Sequence, residues 1–372
     1  MLADCLEELE DFLKSDFEEF SVVAMPDFFL DRFVSLNFDD KTFAKAIWDV
    51  IRRKGGSIDE IEQIDFRGGN AVNTASALAS LGVKAIPIVC TSRHGKQLIK
   101  LYLKSQKIDL SHIKIFEKPS ITTAMEFQTR NGKTNVMLRD VGDLANFGPQ
   151  HLDGKDFRVM ENADYVCVFN WAGTQRFGTK LAEKVFQHVK TRGRGKTYYD
   201  TADPTPNKEK MKELVKLLQS KHIDILSVNE NEAVCYASQI SQKNEKKRKI
   251  TFEKRAKESA KILASNLHTR VDLHTTSFSA TFTRKTETII PVFKVPVLRV
   301  TGAGDAWNAG NILGDACNLS DERRLTLANL VAAYYISNLQ GKHATRKELI
   351  EFCKKLKRKS NPQQLYKMML ED

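Results

Sequence analysis

Short apolar runs alternate along this chain with longer segments in which apolar residues recur every three or four positions. The short runs predict β-strands, and the longer segments predict amphipathic helices. The alternation is regular from residue 163, where predicted strands at 165–169, 197–200 and 223–228 each precede a helical segment. Strands that alternate with helices form parallel sheets with helices on both faces. The pattern therefore predicts an α/β fold with a mostly parallel central sheet.

The remaining segments extend this pattern on both sides. Strands are predicted at 21–24 and 84–90, with strand-like apolar pieces at 289–292 and 294–297. Two alternating runs flank Arg130-Asn131-Gly132, and Asn-Gly between such runs predicts a hairpin. Helices are predicted at 42–53, 74–81, about 95–105, 303–317, 321–339 and 345–355.

Composition narrows the class of protein. The 372 residues are 41% hydrophobic and 28% charged, which is typical of a globular protein. No apolar run approaches the length of a transmembrane helix, and the acidic N-terminus lacks the layout of a signal peptide. The six cysteines are far apart and show no metal-ligand spacing, as expected in a reducing compartment. We therefore expect a single cytoplasmic domain over residues 1–372 that does not associate with membranes.

The net charge of +11 raises the question of nucleic-acid binding. The charge is partly concentrated at residues 243–249 and 354–359, and no aromatic residues interleave the first run. A solvated basic face, with a general attraction for phosphorylated ligands, explains these runs better than a nucleic-acid interface.

Residues 300–310 carry the clearest chemical pattern. A turn rich in Gly and Ala opens a predicted helix, and such a turn directs several backbone N–H groups at one anion. Asp305 lies inside this anion site, where a carboxylate is costly unless it has a task such as accepting a proton. The alternative from the turn alone is an ordinary glycine loop capped by Asp305.

Three motifs together resemble the ribokinase/PfkB family of sugar and nucleoside kinases. They are Gly68-Gly69-Asn70-Ala71-Val72-Asn73 with Gly82 after the following helix, the Asn229-Glu230-Asn231-Glu232 segment, and Thr301-Gly302-Ala303-Gly304-Asp305. The resemblance covers residues 20–352. It implies a ribokinase-like α/β fold with a small β lid, formed by segments at approximately 55–67 and 119–139.

The resemblance also implies roles at the reaction centre. Asp305 would be the general base, and the backbone of Gly302, Ala303 and Gly304 would form the anion hole. Asn229 and Glu232 would order Mg²⁺ and its waters. The alternative for this last pair is a capping box at a helix start.

At the acceptor site, the resemblance implies Asp31, Gly69 and Asn73. Asn170 follows a predicted strand at the same sheet edge and joins this set. Asp27 competes with Asp31, because Pro26 stands where the family commonly has glycine. We favour Asp31. An ordinary surface position remains an alternative for either aspartate.

At the nucleotide site, the resemblance points to residues on four segments. These candidates are Asn229, His274, Thr276, Ser279, Asn329 and Gly341. ATP is the expected donor, and because Thr276 and Ser279 replace glycines that family members commonly carry, ADP is an alternative. His274 is also compatible with a structural position at a strand end. Arg299 replaces an aspartate that contributes to a monovalent-cation site in many members. We hypothesise that this fixed cation removes a dependence on K⁺.

The expected function is phosphoryl transfer from a purine nucleotide to a hydroxyl of a sugar, cyclitol or nucleoside. The alternatives are an ADP-dependent sugar or sugar-phosphate kinase and a catalytically silent sugar-binding regulator. Met125, Phe127, Val136 and Met137 on the lid are candidates for a homodimer contact or for ordinary inward-facing strand positions.

Overall fold

The computed structural model describes residues 2–36, 40–103, 107–129, 132–241, 251–338 and 340–359. The helices are α1 (Leu2–Lys14), α2 (Asp40–Arg52), α3 (Asn70–Ser80), α4 (Arg93–Tyr102), α5 (Gly154–Asn162), α6 (Gly178–Arg192), α7 (Met211–Leu218), α8 (Glu230–Ser241), α9 (Phe252–Asn266), α10 (Ala303–Ala316), α11 (Asp321–Ile336) and α12 (Arg346–Lys359). The strands are β1 (Ser21–Met25), β2 (Phe29–Leu36), β3 (Glu62–Gly68), β4 (Lys84–Pro87), β5 (Cys90–Ser92), β6 (Lys114–Phe116), β7 (Ser120–Thr129), β8 (Gly132–Asp140), β9 (Tyr165–Phe169), β10 (Lys196–Asp200), β11 (Ile225–Val228), β12 (Arg270–His274), β13 (Phe278–Phe282) and β14 (Glu287–Pro291).

The central sheet has the strand order β14-β13-β12-β11-β10-β9-β1-β4. Six neighbouring strands run parallel to one another: β12, β11, β10, β9, β1 and β4. At the β12 edge, β13 and β14 add antiparallel pairings. The prediction of a mostly parallel sheet with helices on both faces is confirmed. Because parallel strands end at one edge, the residues that follow β1, β9, β10 and β11 lie along the same side of the sheet.

Helices cover both faces of this sheet, so its central strands read as continuous apolar runs. All five residues of β9 are buried. Val166 and Val168 belong to the hydrophobic core on one face, and Tyr165, Cys167 and Phe169 belong to the core on the other. This two-sided burial fixes the position of the loops that begin at Asn170.

A second sheet forms the lid, with the order β3-β2-β7-β8. The sequence-based lid of segments 55–67 and 119–139 was incomplete, because β2 lies at the centre of this sheet and pairs with β3 and β7. Helix α2, predicted at 42–53, belongs to the connection between β2 and β3. The hairpin between β7 and β8 is paired up to Thr129 and Gly132, while its turn residues lie outside the described residues.

One other prediction was wrong, and one helix was missed. Residues 294–297 form no strand, and Pro296 has no N–H to donate to a sheet. Helix α1, which was not among the predicted helices, packs its Leu6, Leu9 and Leu13 into the core next to α11 and α12. None of the helices in the described residues combines the length and apolar character needed to span a lipid bilayer.

Candidate active site

The turn before α10 is shaped by Gly302. Its φ of 91° is in the left-handed region, and a Cβ at this position would stand 2.5 Å from the Tyr335 hydroxyl oxygen. Glycine meets both demands without strain. The turn places Ala303, Gly304 and Asp305 in the first turn of α10, where backbone N–H groups lack helical partners.

Asp305 is held by two amides from helix α3. Asn70 Nδ2 donates to one carboxyl oxygen at 2.8 Å, and Asn73 Nδ2 donates to the other at 2.9 Å. Burial raises the pKa of the Asp305 carboxyl to about 8, against the lowering effect of the two amides. A carboxyl with a pKa near neutrality is suited to exchange a proton with a ligand.

The two competing aspartates after β1 have different surroundings. Asp27 is fully buried and accepts hydrogen bonds from the backbone of Asn70 and Ala71, each at 2.9 Å. It also accepts from Asn170 Nδ2 at 2.7 Å, so it fastens the start of α3 to the loop after β9. Asp31 lies on the lid strand β2 and faces an open cleft, and burial raises its pKa to about 6.

That cleft lies between the lid and the carboxyl edge of the central sheet and has a volume of about 290 Å³. The predicted acceptor residues Asp31, Gly69, Asn73 and Asn170 all line it together with Asp305. Gly69 has a φ of 93°, and a Cβ there would stand 2.8 Å from the Asp27 carbonyl oxygen. The cleft is thus assembled from the residues that the motifs indicated.

Sequence reasoning missed several other residues of the cleft. Asn70, the first residue of α3, belongs to the first motif but was assigned no role, although it contacts Asp305 directly. Arg139 and Thr122 reach the cleft from the lid, and Asp203 reaches it from the loop after β10. The alternating pattern of β7 and β8 could have identified the two lid residues only if the face that covers the cleft had been known.

A second pocket of about 400 Å³ lies on the other side of the same turn. Its walls are mostly apolar and come from the segment after β14, from α10 and from α11. Thr301, Gly302 and Asp305 line the first cleft, whereas Val300, Ala303 and Gly304 line the second pocket. Neighbouring residues of one turn therefore separate the cleft from the pocket.

The predicted nucleotide residues are only partly brought together. His274, Thr276 and Asn329 line the second pocket. Ser279 is buried behind it, where its hydroxyl donates to Asn329 Oδ1 at 2.5 Å and accepts from Trp307 Nε1 at 2.9 Å. Asn229 and Gly341 line neither space.

Comparison with protein families decides the class of the chain. The profile described as pfkB family carbohydrate kinase matches residues 43–347. The chain belongs to this family. No curated protein sequence is significantly similar to this PfkB-family chain.

Solved structures confirm the ribokinase-like fold of this PfkB-family chain. Arabidopsis thaliana ribokinase complexed with ribose and ATP has a TM-score of 0.68 at 18% identity, covering 91% of this chain and 99% of that chain. Sinorhizobium meliloti adenosine kinase has a TM-score of 0.68 at 17% identity with the same coverage. A putative ribokinase II from E. coli, in complex with ATP and Mg²⁺, has a TM-score of 0.66 at 14% identity and covers 91% of this chain and 100% of that chain.

The predicted magnesium pair of the PfkB-family chain forms a helix cap. Asn229 donates to both carboxylate oxygens of Glu232, through its backbone N–H at 3.0 Å and its side chain at 2.8 Å. Glu232 N–H donates back to Asn229 Oδ1 at 3.0 Å. The described residues contain no group of three acidic, His or Cys side chains placed to hold a metal ion. Because both Glu232 oxygens accept hydrogen bonds in this cap, the pair fits a cation held through water better than one ligated directly.

Arg299 lies beneath the turn among three aromatic rings. Its guanidinium carbon is 4.8 Å from the Phe66 ring centroid, 5.2 Å from that of Tyr335 and 5.8 Å from that of Phe33. Its Nε is buried without a hydrogen-bond partner among the described residues. Arg67 lies nearby and contacts the Gly341 carbonyl at 3.0 Å and His343 Nδ1 at 2.9 Å. Gly341 therefore belongs to this cationic cluster, and a Cβ on it would collide with Arg299.

Proposed function

We propose that this chain is a small-molecule kinase that transfers the γ-phosphoryl group of ATP to a hydroxyl of a sugar, cyclitol or nucleoside. One observation carries the proposal: a single turn borders both a polar cleft and an apolar pocket, and Asp305 faces the polar side. Membership of a carbohydrate kinase family supports it. The polar cleft would bind the acceptor, and the apolar pocket would bind the purine.

Asp305 acts as the general base in this proposal. The acceptor hydroxyl gives its proton to the carboxylate while its oxygen forms a bond to the γ-phosphorus, and the bond from that phosphorus to the β-phosphate oxygen breaks to release ADP. Asn70 and Asn73 orient the carboxylate through both of its oxygens. A positioned base of this kind typically contributes about 10²–10⁴ in rate.

The turn from Gly302 to Gly304 supplies backbone N–H groups for the negative charge that gathers on the transferred phosphoryl group. One such donor is worth about 3 kcal/mol in a preorganised site. Magnesium bound to the phosphates would neutralise further charge, with Asn229 and Glu232 holding its waters. The lid carries Asp31 over the acceptor, and its closure would exclude water as a competing nucleophile.

The test is a measurement of ADP formation by the purified chain with ATP, Mg²⁺ and a panel of sugars, cyclitols and nucleosides, repeated with ADP as donor. At least one acceptor should be phosphorylated by ATP. Asp305→Asn should reduce its turnover by about 10²–10⁴ while the unfolding temperature stays close to that of the wild type.

Asp65→Asn is a matched control, since Asp65 is a lid carboxylate that pairs with Arg32 at 2.7 Å and does not line the cleft. This variant should keep its turnover. Near-normal turnover of Asp305→Asn would refute the assigned base. Tight binding of one polyol without turnover of any acceptor would instead favour a sugar-binding regulator.

A further inference from the structure

One guanidinium lines the acceptor cleft. Arg139 lies on the lid strand β8, and it is the one Lys or Arg among the described residues that borders this space. Its side chain is exposed to the open cleft. It makes no ion pair with any carboxylate in the described part of the chain, although Asp31 and Asp203 border the same cleft.

Arg139 is nevertheless held in place. Its guanidinium stacks over the Phe29 ring, with 4.8 Å between the guanidinium carbon and the ring centroid. One of its nitrogens, Nη2, donates to Asn170 Oδ1 at 3.3 Å. Asn170 is itself fixed, since it donates to Asp27 and accepts from the Gly173 backbone. A guanidinium has five N–H donors, so most of those on Arg139 remain available in the cleft.

Arginines elsewhere in the chain are used differently. Arg32 pairs with Asp65 on the outer part of the lid, and Arg323 pairs with Glu8 at 2.6 Å. The buried Arg324 pairs with Asp272 at 3.1 Å. Arg67 and Arg299 have no carboxylate partner among the described residues, but they lie beneath the turn and do not line the cleft. Arg139 is thus an unpaired cation directed at a ligand space.

The neighbouring carboxyls already have hydrogen bonds of their own. Asp203 accepts from the Thr205 backbone at 3.0 Å. Asp31 is hydrogen-bonded to Thr122, which lowers its pKa, although burial dominates and raises that pKa to about 6. Asp31 and Asp203 attract the Arg139 guanidinium at longer range without forming an ion pair with it in the described part of the chain. A planar guanidinium fork recognises phosphate or carboxylate through paired hydrogen bonds.

We infer that the acceptor carries an oxyanion, a phosphate or a carboxylate, which Arg139 binds while a separate hydroxyl of the same molecule faces Asp305. This inference rests on the proposed function and narrows its acceptor to an anionic polyol. The cleft volume of about 290 Å³ is at the small end for ligand sites and suits a monosaccharide with one such group.

The experiment compares neutral polyols with their own phosphates and acids on the full chain. Suitable sets are glucose, glucose 6-phosphate and gluconate, and also ribose and ribose 5-phosphate. With ATP and Mg²⁺, kcat/KM for an anionic member should exceed that of its neutral parent at least about tenfold. The phosphate and acid arms identify which oxyanion is preferred.

Arg139→Gln should lower kcat/KM for the preferred anionic acceptor by about 10²-fold, chiefly through KM, and should affect its neutral parent less. Arg139→Lys should restore part of this loss, because lysine keeps the charge without the fork. Arg32→Gln is the matched control on the same lid and should behave as the wild type.

Two outcomes would overturn the inference while leaving the kinase intact. One is an equal kcat/KM for neutral and anionic acceptors in the wild type, and the other is an equal loss of kcat/KM on both classes in Arg139→Gln.

If no acceptor is phosphorylated, the proposed function fails, and calorimetric binding of the same compounds then tests whether Arg139 recognises an oxyanion. Selective binding of the anionic members that is lost in Arg139→Gln supports the inference, and equal binding refutes it.

Discussion

The acceptor cleft and the apolar pocket share one turn but differ in construction. Around the cleft, a continuous set of hydrogen bonds joins α3, α10 and the loop after β9. Its members are Asp305, Asn70, Asn73 and Asn170, which line the cleft, and the buried Asp27. In the apolar pocket, the polar groups of Ser279, Asn329 and Trp307 mainly satisfy one another.

Under the proposed function, the two spaces have different tasks. Phosphoryl transfer needs a base and N–H donors at fixed positions, and the hydrogen-bonded set around Asp305 would supply them. A purine in the pocket would need mainly apolar surface with few directed groups.

The largest effect should come from the shared turn. Gly302→Ala would place a Cβ against the Tyr335 hydroxyl at a φ of 91°, which costs about 1–2 kcal/mol from the backbone alone. The displaced N–H groups should reduce turnover by about 10²-fold or more. Steady-state rates with both substrates at saturation would measure this loss.

Gly82→Ala provides the control for backbone strain. Gly82 has a φ of 93°, but no atom lies within 4 Å of the place that a Cβ would take. This variant should lose a comparable backbone free energy of unfolding and keep its turnover. If both variants lost turnover equally, the special role of the turn would be wrong.

A smaller effect, confined to the cleft, is expected for Asn73→Ala. The Asn73 amide lowers the pKa of Asp305, whose value is about 8. The base works when deprotonated, so kcat/KM should rise with pH until it levels off above this pKa. Without the amide, that pKa rises, and the rate at pH 7 should fall by about tenfold.

The pH profile of kcat/KM measures this effect. The profile of Asn73→Ala should shift to higher pH, so that part of the loss is recovered in alkaline buffer. A loss of the same size at every pH would indicate a merely structural role for Asn73.

Ser279→Ala tests the apolar pocket separately. Its hydroxyl joins Trp307 to Asn329, and Trp307 Nε1 keeps its 3.1 Å contact with Asn329 when the hydroxyl is lost. We expect about 1 kcal/mol of destabilisation by chemical denaturation, with a several-fold higher KM for the nucleotide and little change in KM for the acceptor. Ser80→Ala in α3, whose hydroxyl contacts the Ser76 carbonyl, is a control. A larger change in KM for the acceptor than for the nucleotide would contradict the assignment.

The smallest effect concerns the cation beneath the turn. Because the Arg299 guanidinium is fixed among Phe33, Phe66 and Tyr335, replacing K⁺ by Na⁺ should change the rate by no more than about twofold. Severalfold activation by K⁺ at constant ionic strength would show that a diffusible ion is still needed.

The parts of the site that were predictable from sequence follow from one strand end and from the motifs. Asn170 follows a strand of the parallel sheet, the motif resemblance implied Asp31 and Asp305, and all three border one cleft. The choice between Asp27 and Asp31 was harder, because both follow β1 closely. The structure separates them through the burial of Asp27 against the N–H groups of α3.

Other features depend on contacts between distant segments. Alternation along β8 shows that Met137 and Arg139 share a face, but nothing local reveals that this face covers the cleft. The place of β2 in the lid depends on its pairing with β7, which is distant in sequence. Helix α1 could have been predicted from the sequence, since Leu6, Leu9 and Leu13 have helical spacing.

The placement of the tryptophans gives the protein built-in fluorescence reporters. Trp307 forms part of the apolar pocket and lies against His274 in a tilted arrangement, with 5.0 Å between ring centroids. Trp48 is on α2 and 61% exposed, whereas Trp171 is buried directly after Asn170. Emission from Trp307 would respond to a purine bound there as proposed, and collisional quenchers would reach the exposed Trp48 first. Occupancy of the pocket can thus be followed without attaching a dye.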